Sequence, residues 1–267
     1  QYYNLNNYFT GLFTFGDGEA NNLAYTVSLS RDNTRINPIF PTGGSSFNIS
    51  AKFTPPYSLF TGRDFSNLEN LPEFQDSNGN PLIALIDQEK FKWLEFYKVK
   101  FNGTWYTKIF ADLVLKTQAD FGFIGTYNQS RGNIPFERFF LGGDGMVNYA
   151  LDGRENIALR GYPNQSLSNR DGSVIYNKFS LELRYPITLK PSASIYALTF
   201  LEAGNGYDSF RTFDPFNSKR SAGAGVRIFM PAFGLLGIDF GYGFDNPNPN
   251  TFTPNGWETH FVIGQRF

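Results

Sequence analysis

The sequence predicts an all-β fold, specifically a transmembrane antiparallel β-barrel of the outer membrane. Three observations lead to this prediction. Apolar and polar residues alternate strictly along many short segments, and the connections between these segments alternate between long and short. The composition is rich in aromatic residues, at 18%, and contains no Cys. Strands of such a barrel place apolar side chains in lipid and polar side chains in a wet lumen.

The composition also narrows the class of protein. The chain has 267 residues with a net charge of -1, and no run of eighteen apolar residues that would predict a transmembrane helix. Its mean hydropathy of -0.32 is typical of soluble proteins, yet a membrane barrel gives the same value because its strands alternate. The near-neutral charge argues against a nucleic-acid partner.

The alternation is clearest in the segment 178–185. Phe179, Leu181, Leu183 and Tyr185 lie on one face, and the residues between them are polar or charged. The same pattern recurs at 23–30, 47–54, 97–108, 113–123, 221–228, 236–243 and 260–267. About nine strands are therefore expected from Asn21 onward, with a tenth possible in the first fifteen residues and essentially no helix beyond loop turns. Lys, Asp and Arg in mid-strand suit a wet lumen better than a soluble β-sandwich, which is the alternative.

The connections between the strands give an independent argument. Long loops on one side and short turns on the other are typical of outer-membrane barrels, with the short turns and the C-terminus in the periplasm. Loops of such length usually carry function. The long connections are 245–256, 205–218, 129–174 and 55–90, and the shorter ones lie at 231–234, at 188–191, near Phe110 and at 35–43.

Several motifs in a fixed order carry a family resemblance. They are "FPTGGSSFNISAKFTPP" (40–56), "ERFFLGGDG" (137–145), "LRGY" (159–162), "TFLEAGN" (199–205), "KRSAGAGV" (219–226) and "HFVIGQRF" (260–267). From about Asn21 to its end, the chain resembles the C-terminal barrel portion of the family of BamA, the outer-membrane protein insertase, and its relatives TamA and the FhaC-type transporters. The departures are Leu159 and Tyr162 for Val and Phe, Glu202 for Asp, and an insertion at 146–158.

The resemblance implies a function and a location. The chain would supply the last nine or ten of about sixteen barrel strands, with early strands and periplasmic POTRA domains missing from this sequence and with two unpaired sheet edges. It would help nascent outer-membrane β-barrel proteins to fold and insert, through a lateral seam in the outer membrane of a Gram-negative bacterium. Partners would be those nascent proteins, periplasmic and lipoprotein subunits of an assembly complex, and outer-membrane lipid and lipopolysaccharide.

The resemblance also implies which residues carry the function. The loop tip Leu159, Arg160, Gly161 and Tyr162 would fold into the lumen, where Arg160 meets Glu202 beside Ser221 and Gly223. Gly161 allows a sharp turn, the aromatic ring can pack on a wall, and an unpartnered buried charge would cost about 3–5 kcal/mol. An arginine in a solvated loop is the plain alternative.

The terminal strand is predicted to form the seam. Phe261, Ile263, Gly264 and Phe267 resemble the family's terminal β-signal, and Gly264 would weaken the strand as an edge. No cofactor, metal or enzymatic chemistry is expected, because the single His260 has no Cys or second His beside it and is expected to be a plain lumen residue. The alternatives to an insertase are a two-partner-secretion transporter of the same superfamily, a passive porin and a barrel enzyme.

Overall fold

The structure is a computed structural model that describes residues 2–4, 17–34, 37–132, 134–146, 153–248 and 250–264. The strands are β1 (Tyr2–Asn4), β2 (Asp17–Glu19), β3 (Tyr25–Asp32), β4 (Gly43–Phe53), β5 (Tyr97–Phe110), β6 (Leu113–Gly125), β7 (Phe139–Leu141), β8 (Glu155–Ile157), β9 (Ile175–Lys190), β10 (Ala193–Tyr207), β11 (Lys219–Met230), β12 (Gly234–Gly243) and β13 (Gly256–Ile263). The α-helices are α1 (Ser58–Thr61) and α2 (Ile83–Phe91), and the 3-10 helices are Leu68–Asn70, Pro72–Phe74, Gln129–Arg131 and Phe210–Thr212.

Nine strands form one antiparallel sheet, in the order β13-β12-β11-β10-β9-β6-β5-β4-β3. Neighbours in this sheet follow one another along the chain, except that a long loop carrying β7 and β8 separates β6 from β9. The predicted set of about nine antiparallel strands is confirmed. Within the described ranges β3 and β13 are the two edges, and the sheet is not closed.

The two faces of the sheet differ as the alternation predicts. On β9, Leu181 and Tyr185 are exposed, whereas Glu182 and Arg184 between and beside them are buried. The exposed apolar face is the one that lipid covers in an outer-membrane barrel. The polar face is buried because the loop between β6 and β9 packs against it, with Leu159 and Tyr162 of that loop fully covered.

The structure corrects three details of the sequence prediction. The short turn expected at 188–191 is smaller, because β9 continues to Lys190, which pairs with Ala193. The 55–90 loop contains a genuine nine-residue helix, α2, where only turns were expected. The possible tenth strand is not part of the main sheet in the described portion. Instead β1 pairs with β2 in a separate two-stranded sheet, and residues 5–16 lie outside the described residues.

No helix in the described ranges combines the length and the apolar character that crossing a membrane requires.

The 55–90 loop folds around its own small core and is held by a buried ion pair. Phe65, Leu68, Phe74 and Ile86 form that core. Arg131 Nη1 lies 2.9 Å from Glu95 Oε2, and both residues are at most 5% exposed. Arg131 also donates to the carbonyls of Lys90 and Trp93, and Glu95 accepts from the Ser58 amide at 2.7 Å.

We expect Arg131→Ala to loosen the 55–90 loop. The substitution leaves Glu95 buried without its cation, which costs about 3–5 kcal/mol locally. Limited proteolysis should then cut the loop far faster. The control is Arg63→Ala in the same loop, because Arg63 pairs with Glu73 and Glu89 at a side chain 35% exposed. Such pairs contribute about 0–1 kcal/mol, so equal cleavage of the two variants would contradict the expectation.

Candidate functional site

A short stretch of β structure carries the long loop toward the polar face of the sheet. β7 and β8 pair in parallel, and the Gly143 amide then donates to the Leu159 carbonyl at 3.1 Å. β8 belongs to the predicted insertion at 146–158, of which residues 147–152 lie outside the described residues. The inserted segment therefore pairs with the start of the loop and delivers Leu159 to the site.

Arg160 lies among three carboxylates on the polar face. Its Nη2 atom is 2.8 Å from Glu202 Oε1 and 2.7 Å from Glu182 Oε1, and its Nη1 atom is 3.3 Å from Asp239 Oδ2. The backbone amide of Arg160 also donates to Glu202 Oε2 at 2.9 Å. The structure thus contains the predicted contact with Glu202 and adds two carboxylates that the sequence analysis missed.

Each of the three carboxylates is shared with a cation of the sheet. Glu182 also binds Arg184, Glu202 also binds Lys178, and Asp239 also binds Arg227. The result is an alternating cluster of buried charges, in which the loop supplies the central cation. Burial alone would lower the pKa of the Arg160 guanidinium, but the surrounding carboxylates raise it above its ordinary value, so the residue stays charged.

The guanidinium also stacks on an aromatic ring. Its Cζ atom lies 3.7 Å from the centroid of Phe200 on β10, which adds a cation–π contact in a desolvated setting. A Cβ atom at Gly223 would collide with this ring. Gly223 was predicted to leave room for the loop tip. The structure corrects this role, because Gly223 makes room for the Phe200 ring on which the tip stacks.

The backbone of Gly161 fits a groove made by small residues. Gly161 has a φ of +86°, and a Cβ atom there would lie 2.8 Å from the Cβ atom of Ser221. Ser221 therefore lies beside the loop tip, as predicted. The groove itself is formed by Gly241 and Gly243 on β12, since a Cβ atom at either one would collide with the backbone of Gly161.

Leu159 and Tyr162, which flank Arg160 and Gly161, hold the loop tip in place because their side chains are buried. Both are fully buried and belong to the core that the loop forms with β9 and β10. The Tyr162 hydroxyl donates to the Arg220 carbonyl at 2.6 Å. Burial raises the pKa of Tyr162 to about 12, which keeps the hydroxyl protonated as a donor at neutral pH.

His260 is not the plain lumen residue that the sequence analysis expected. Its Nε2 atom accepts a hydrogen bond from the Gly161 amide at 2.8 Å, and the side chain is 4% exposed. On the other side, Asn255 Nδ2 donates to the Gly161 carbonyl at 2.9 Å. The strand alternation places His260 on the polar face, but only the folded loop makes it a contact of the tip.

The tip therefore contacts all five of the consecutive strands β9 to β13. Its contacts include Glu182 on β9, Glu202 on β10, Ser221 on β11, Asp239 on β12 and His260 on β13. Sequence parity could have suggested Glu182 and Asp239, because both lie on the polar face of their strands. The alternation shows on which face of the sheet a side chain lies but not how far along the strand it meets the loop tip. It therefore could not identify Glu182 and Asp239 as the partners of Arg160.

A second set of ion pairs holds the base of the same loop. Lys52 on β4 lies 2.5 Å from Glu137, and Lys98 and Lys100 on β5 lie 3.0 and 2.9 Å from Glu155. Burial by itself would raise the pKa of the Glu155 carboxyl, but the two lysines hold it below its usual value. The loop is thus bound at its base to one half of the sheet and at its tip to the other.

The predicted terminal strand is present as β13, with one correction. Phe261 and Ile263 lie on the apolar face of β13 and are 54% and 69% exposed. Gly264 falls one residue beyond β13, where its φ of +87° and its hydrogen bond to the Leu235 carbonyl end the strand. It therefore does not weaken the strand from within. Phe267 lies outside the described residues.

In the part of the chain that the structure describes, no group of three His, Asp or Glu residues is arranged to hold a metal ion.

Comparison with known proteins agrees with this geometry. The family model described as the Omp85 superfamily domain matches residues 1–267. Among solved structures, the chain is similar to BamA from Haemophilus ducreyi lacking POTRA domains 1-3, with a TM-score of 0.55 and 17% sequence identity. The match covers 89% of this chain and 41% of that chain, so this chain spans less than half the length of that BamA. A search of curated proteins found no match. The chain belongs to the Omp85 superfamily and forms a BamA-like C-terminal portion of a bacterial outer-membrane β-barrel.

Proposed function

We propose that the chain is part of an outer-membrane assembly factor that catalyses the folding and insertion of nascent β-barrel proteins through a lateral seam. The observation that carries this proposal is the docking of the loop tip on the five strands β9 to β13, the last of which is the edge strand. Arg160 and Gly161 fix the wall next to the seam, so that the edge can be presented in a defined register. The tip also occupies the polar face, which argues against a passive porin.

The edge strand offers a physical mechanism. β13 pairs with β12 along residues 256–263, and within the described ranges its other side has no partner strand. When β13 parts from the first strand of the barrel, its backbone groups left unpaired in lipid would cost several kcal/mol each, so an incoming strand that pairs with β13 is favoured. Phe261 and Ile263 would continue the lipid-facing surface onto the substrate. Main-chain pairing of this kind tolerates many side-chain sequences, as a general assembly factor requires.

The remaining expectations belong to the same proposal. The C-terminus lies in the periplasm, on the side of the protein's own POTRA domains, where periplasmic and lipoprotein subunits of an assembly complex bind. The nascent barrel protein is the substrate, and outer-membrane lipid and lipopolysaccharide surround the site. No covalent step, cofactor or enzymatic activity is required, because strand pairing and burial supply the free energy.

A second candidate is a protein exporter of the two-partner-secretion type. One observation favours it: a cavity of about 600 Å³ lies beside the long loop, and the polar residues Lys116, Gln118, Asp120 and Lys178 are among those that line it. Such a cavity suits an extended polar polypeptide passing through the lumen. The two candidates differ in where the substrate contacts the chain, at the seam or in the lumen.

Site-specific crosslinking separates them, since the chain contains no Cys. We expect Ile263→Cys in the full-length protein to crosslink to the terminal strand of an unfolded barrel substrate in liposomes. Gln118→Cys reports on the cavity, and Ile187→Cys, 61% exposed in the middle of the sheet, is the control. Crosslinking mainly at position 118 would favour the exporter. Equal crosslinking at 187 and 263 would contradict the seam.

A further inference from the structure

The two backbone polar groups of Gly161 are both bound by the terminal part of the chain. The amide donates to His260 Nε2 at 2.8 Å, and the carbonyl accepts from Asn255 Nδ2 at 2.9 Å. His260 lies in β13, and Asn255 immediately precedes it. By contrast, the carboxylates that bind the Arg160 guanidinium lie on β9, β10 and β12. The tip therefore makes a separate connection to the edge strand.

We propose that His260 and Asn255 are positioning residues that latch the edge strand β13 to the loop tip. The proposal rests on the proposed seam and deepens it: the edge strand can move away from the sheet only when the two hydrogen bonds to Gly161 open. Arg160 holds the tip on the neighbouring strands throughout, so the latch releases β13 without releasing the loop. A substrate strand that competes for β13 would therefore work against a defined, local restraint.

The geometry fits a latch because the contact between His260 and Gly161 is buried and because glycines leave room for the Gly161 backbone. His260 is 4% exposed, and it stands opposite Asp239 in the β12–β13 register. Gly241 and Gly243 let the Gly161 backbone approach the strand, since a Cβ atom at either position would collide with it. The loop tip thus reaches β13 through its backbone, where each polar group needs a partner once water is excluded.

The acceptor chemistry makes the latch sensitive to protonation. The Gly161 amide is a donor, so His260 Nε2 accepts only while it carries no proton. The charged groups that face His260 are Asp239 on β12, Glu258 on its own strand, and Asp144 and Arg160 on the loop. Protonation would open the amide half of the latch and leave the Asn255 half in place.

Two substitutions of His260 distinguish the loss of the hydrogen-bond acceptor from the loss of side-chain volume. In His260→Gln, the Oε1 atom reaches the place of Nε2 and accepts from Gly161, but it does not titrate. His260→Leu keeps similar bulk and removes the acceptor. Asn255→Ala opens the other hydrogen bond from a position just outside the strand, where folding of β13 is not at issue.

The test is hydrogen exchange of the full-length protein in liposomes, followed in peptides covering 156–164 and 256–264. At pH 7.5 we expect His260→Leu and Asn255→Ala to raise exchange in both peptides roughly fivefold, the effect of one buried hydrogen bond, and His260→Gln to match the wild type. Unchanged exchange in His260→Leu and Asn255→Ala, or faster exchange in His260→Gln than in the wild type, would overturn the latch.

A parallel assay tests the proposed function separately from the latch. Folding of an added barrel substrate, read by its heat-modifiable mobility on a gel, measures the proposed function. Faster exchange in the variants together with faster folding of the substrate supports both the latch and the proposed function. Faster exchange with no substrate folding by any form, wild type included, upholds the latch and refutes the proposed function. Normal substrate folding with unchanged exchange refutes the latch alone.

Discussion

Arg160→Ala is expected to free the loop tip from the lumen and to abolish assembly activity, while the nine-stranded sheet remains folded. The guanidinium binds Glu182, Glu202 and Asp239 at 2.7 to 3.3 Å in a site that is 7% exposed. Its removal leaves these carboxylates with one partner fewer in a buried setting, which costs about 3–5 kcal/mol. Each still has a cation on the sheet, so the strands stay paired while the loop loses its anchor.

Three measurements on the full-length protein check this expectation. Heat-modifiable gel mobility reports whether the barrel is folded, protease cleavage within 156–164 reports whether the tip is docked, and folding of an added barrel substrate reports activity. We expect normal mobility, at least tenfold faster cleavage and loss of substrate folding. Arg160→Lys should be intermediate, because an ammonium group is a point charge that cannot form the planar contacts of a guanidinium.

The matched control comes from the same loop. Arg154 packs its guanidinium on the Phe140 ring at 4.8 Å and lies nearer the base of the loop. Arg154→Ala removes an identical side chain outside the cluster of carboxylates, so tip cleavage should stay close to that of the wild type. Equal cleavage in the Arg160 and Arg154 variants, or an unfolded barrel in Arg160→Ala, would refute the view that the cluster anchors the tip.

The sequence could predict the faces of the strands but not the positions along them. Alternation places Glu182, Glu202 and Asp239 on the polar face without any structural information. Which of them meets Arg160 depends on strand register and on the path of a loop of nearly fifty residues, and neither is encoded in a local pattern. Glu202 could be identified because the "TFLEAGN" motif resembles a known segment, whereas Glu182 and Asp239 lie outside that motif.

The loops show the same division between local and non-local information. The length of 55–90 predicts a functional or folded loop, but its anchor joins Arg131 to Glu95, 36 positions away, and Glu95 to Ser58, 37 positions away. In the sequence, Arg131 and Glu95 resemble ordinary surface charges, and only folding brings them together as a buried pair. His260 is a similar case, because a lone histidine on a polar strand face is usually a surface residue, and its partner is a backbone amide that carries no sequence signal.

Gly241→Ala is expected to expel the loop tip almost as completely as the loss of Arg160. A Cβ atom at Gly241 would lie 2.6 Å from the Gly161 amide nitrogen and 2.9 Å from its Cα atom. Both atoms belong to backbone, so no side-chain rotation relieves the overlap. Overpacking of this kind costs about 1–3 kcal/mol, and a shift of the Gly161 backbone also moves the adjoining Arg160 off its carboxylates. We expect tip cleavage and loss of activity to follow together.

A glycine on another strand provides the control, and a double variant tests the cause. Gly103 lies on β5, where a Cβ atom would meet only the side chains of Phe101 and Trp105 among its nearest atoms, so Gly103→Ala should leave the tip docked. If Gly241→Ala acts by undocking the tip, adding Arg160→Ala should change cleavage and activity little further, because both substitutions remove the same docked state. Additive losses in the double variant would instead mean that Gly241 supports the fold of β12 itself, independently of the loop.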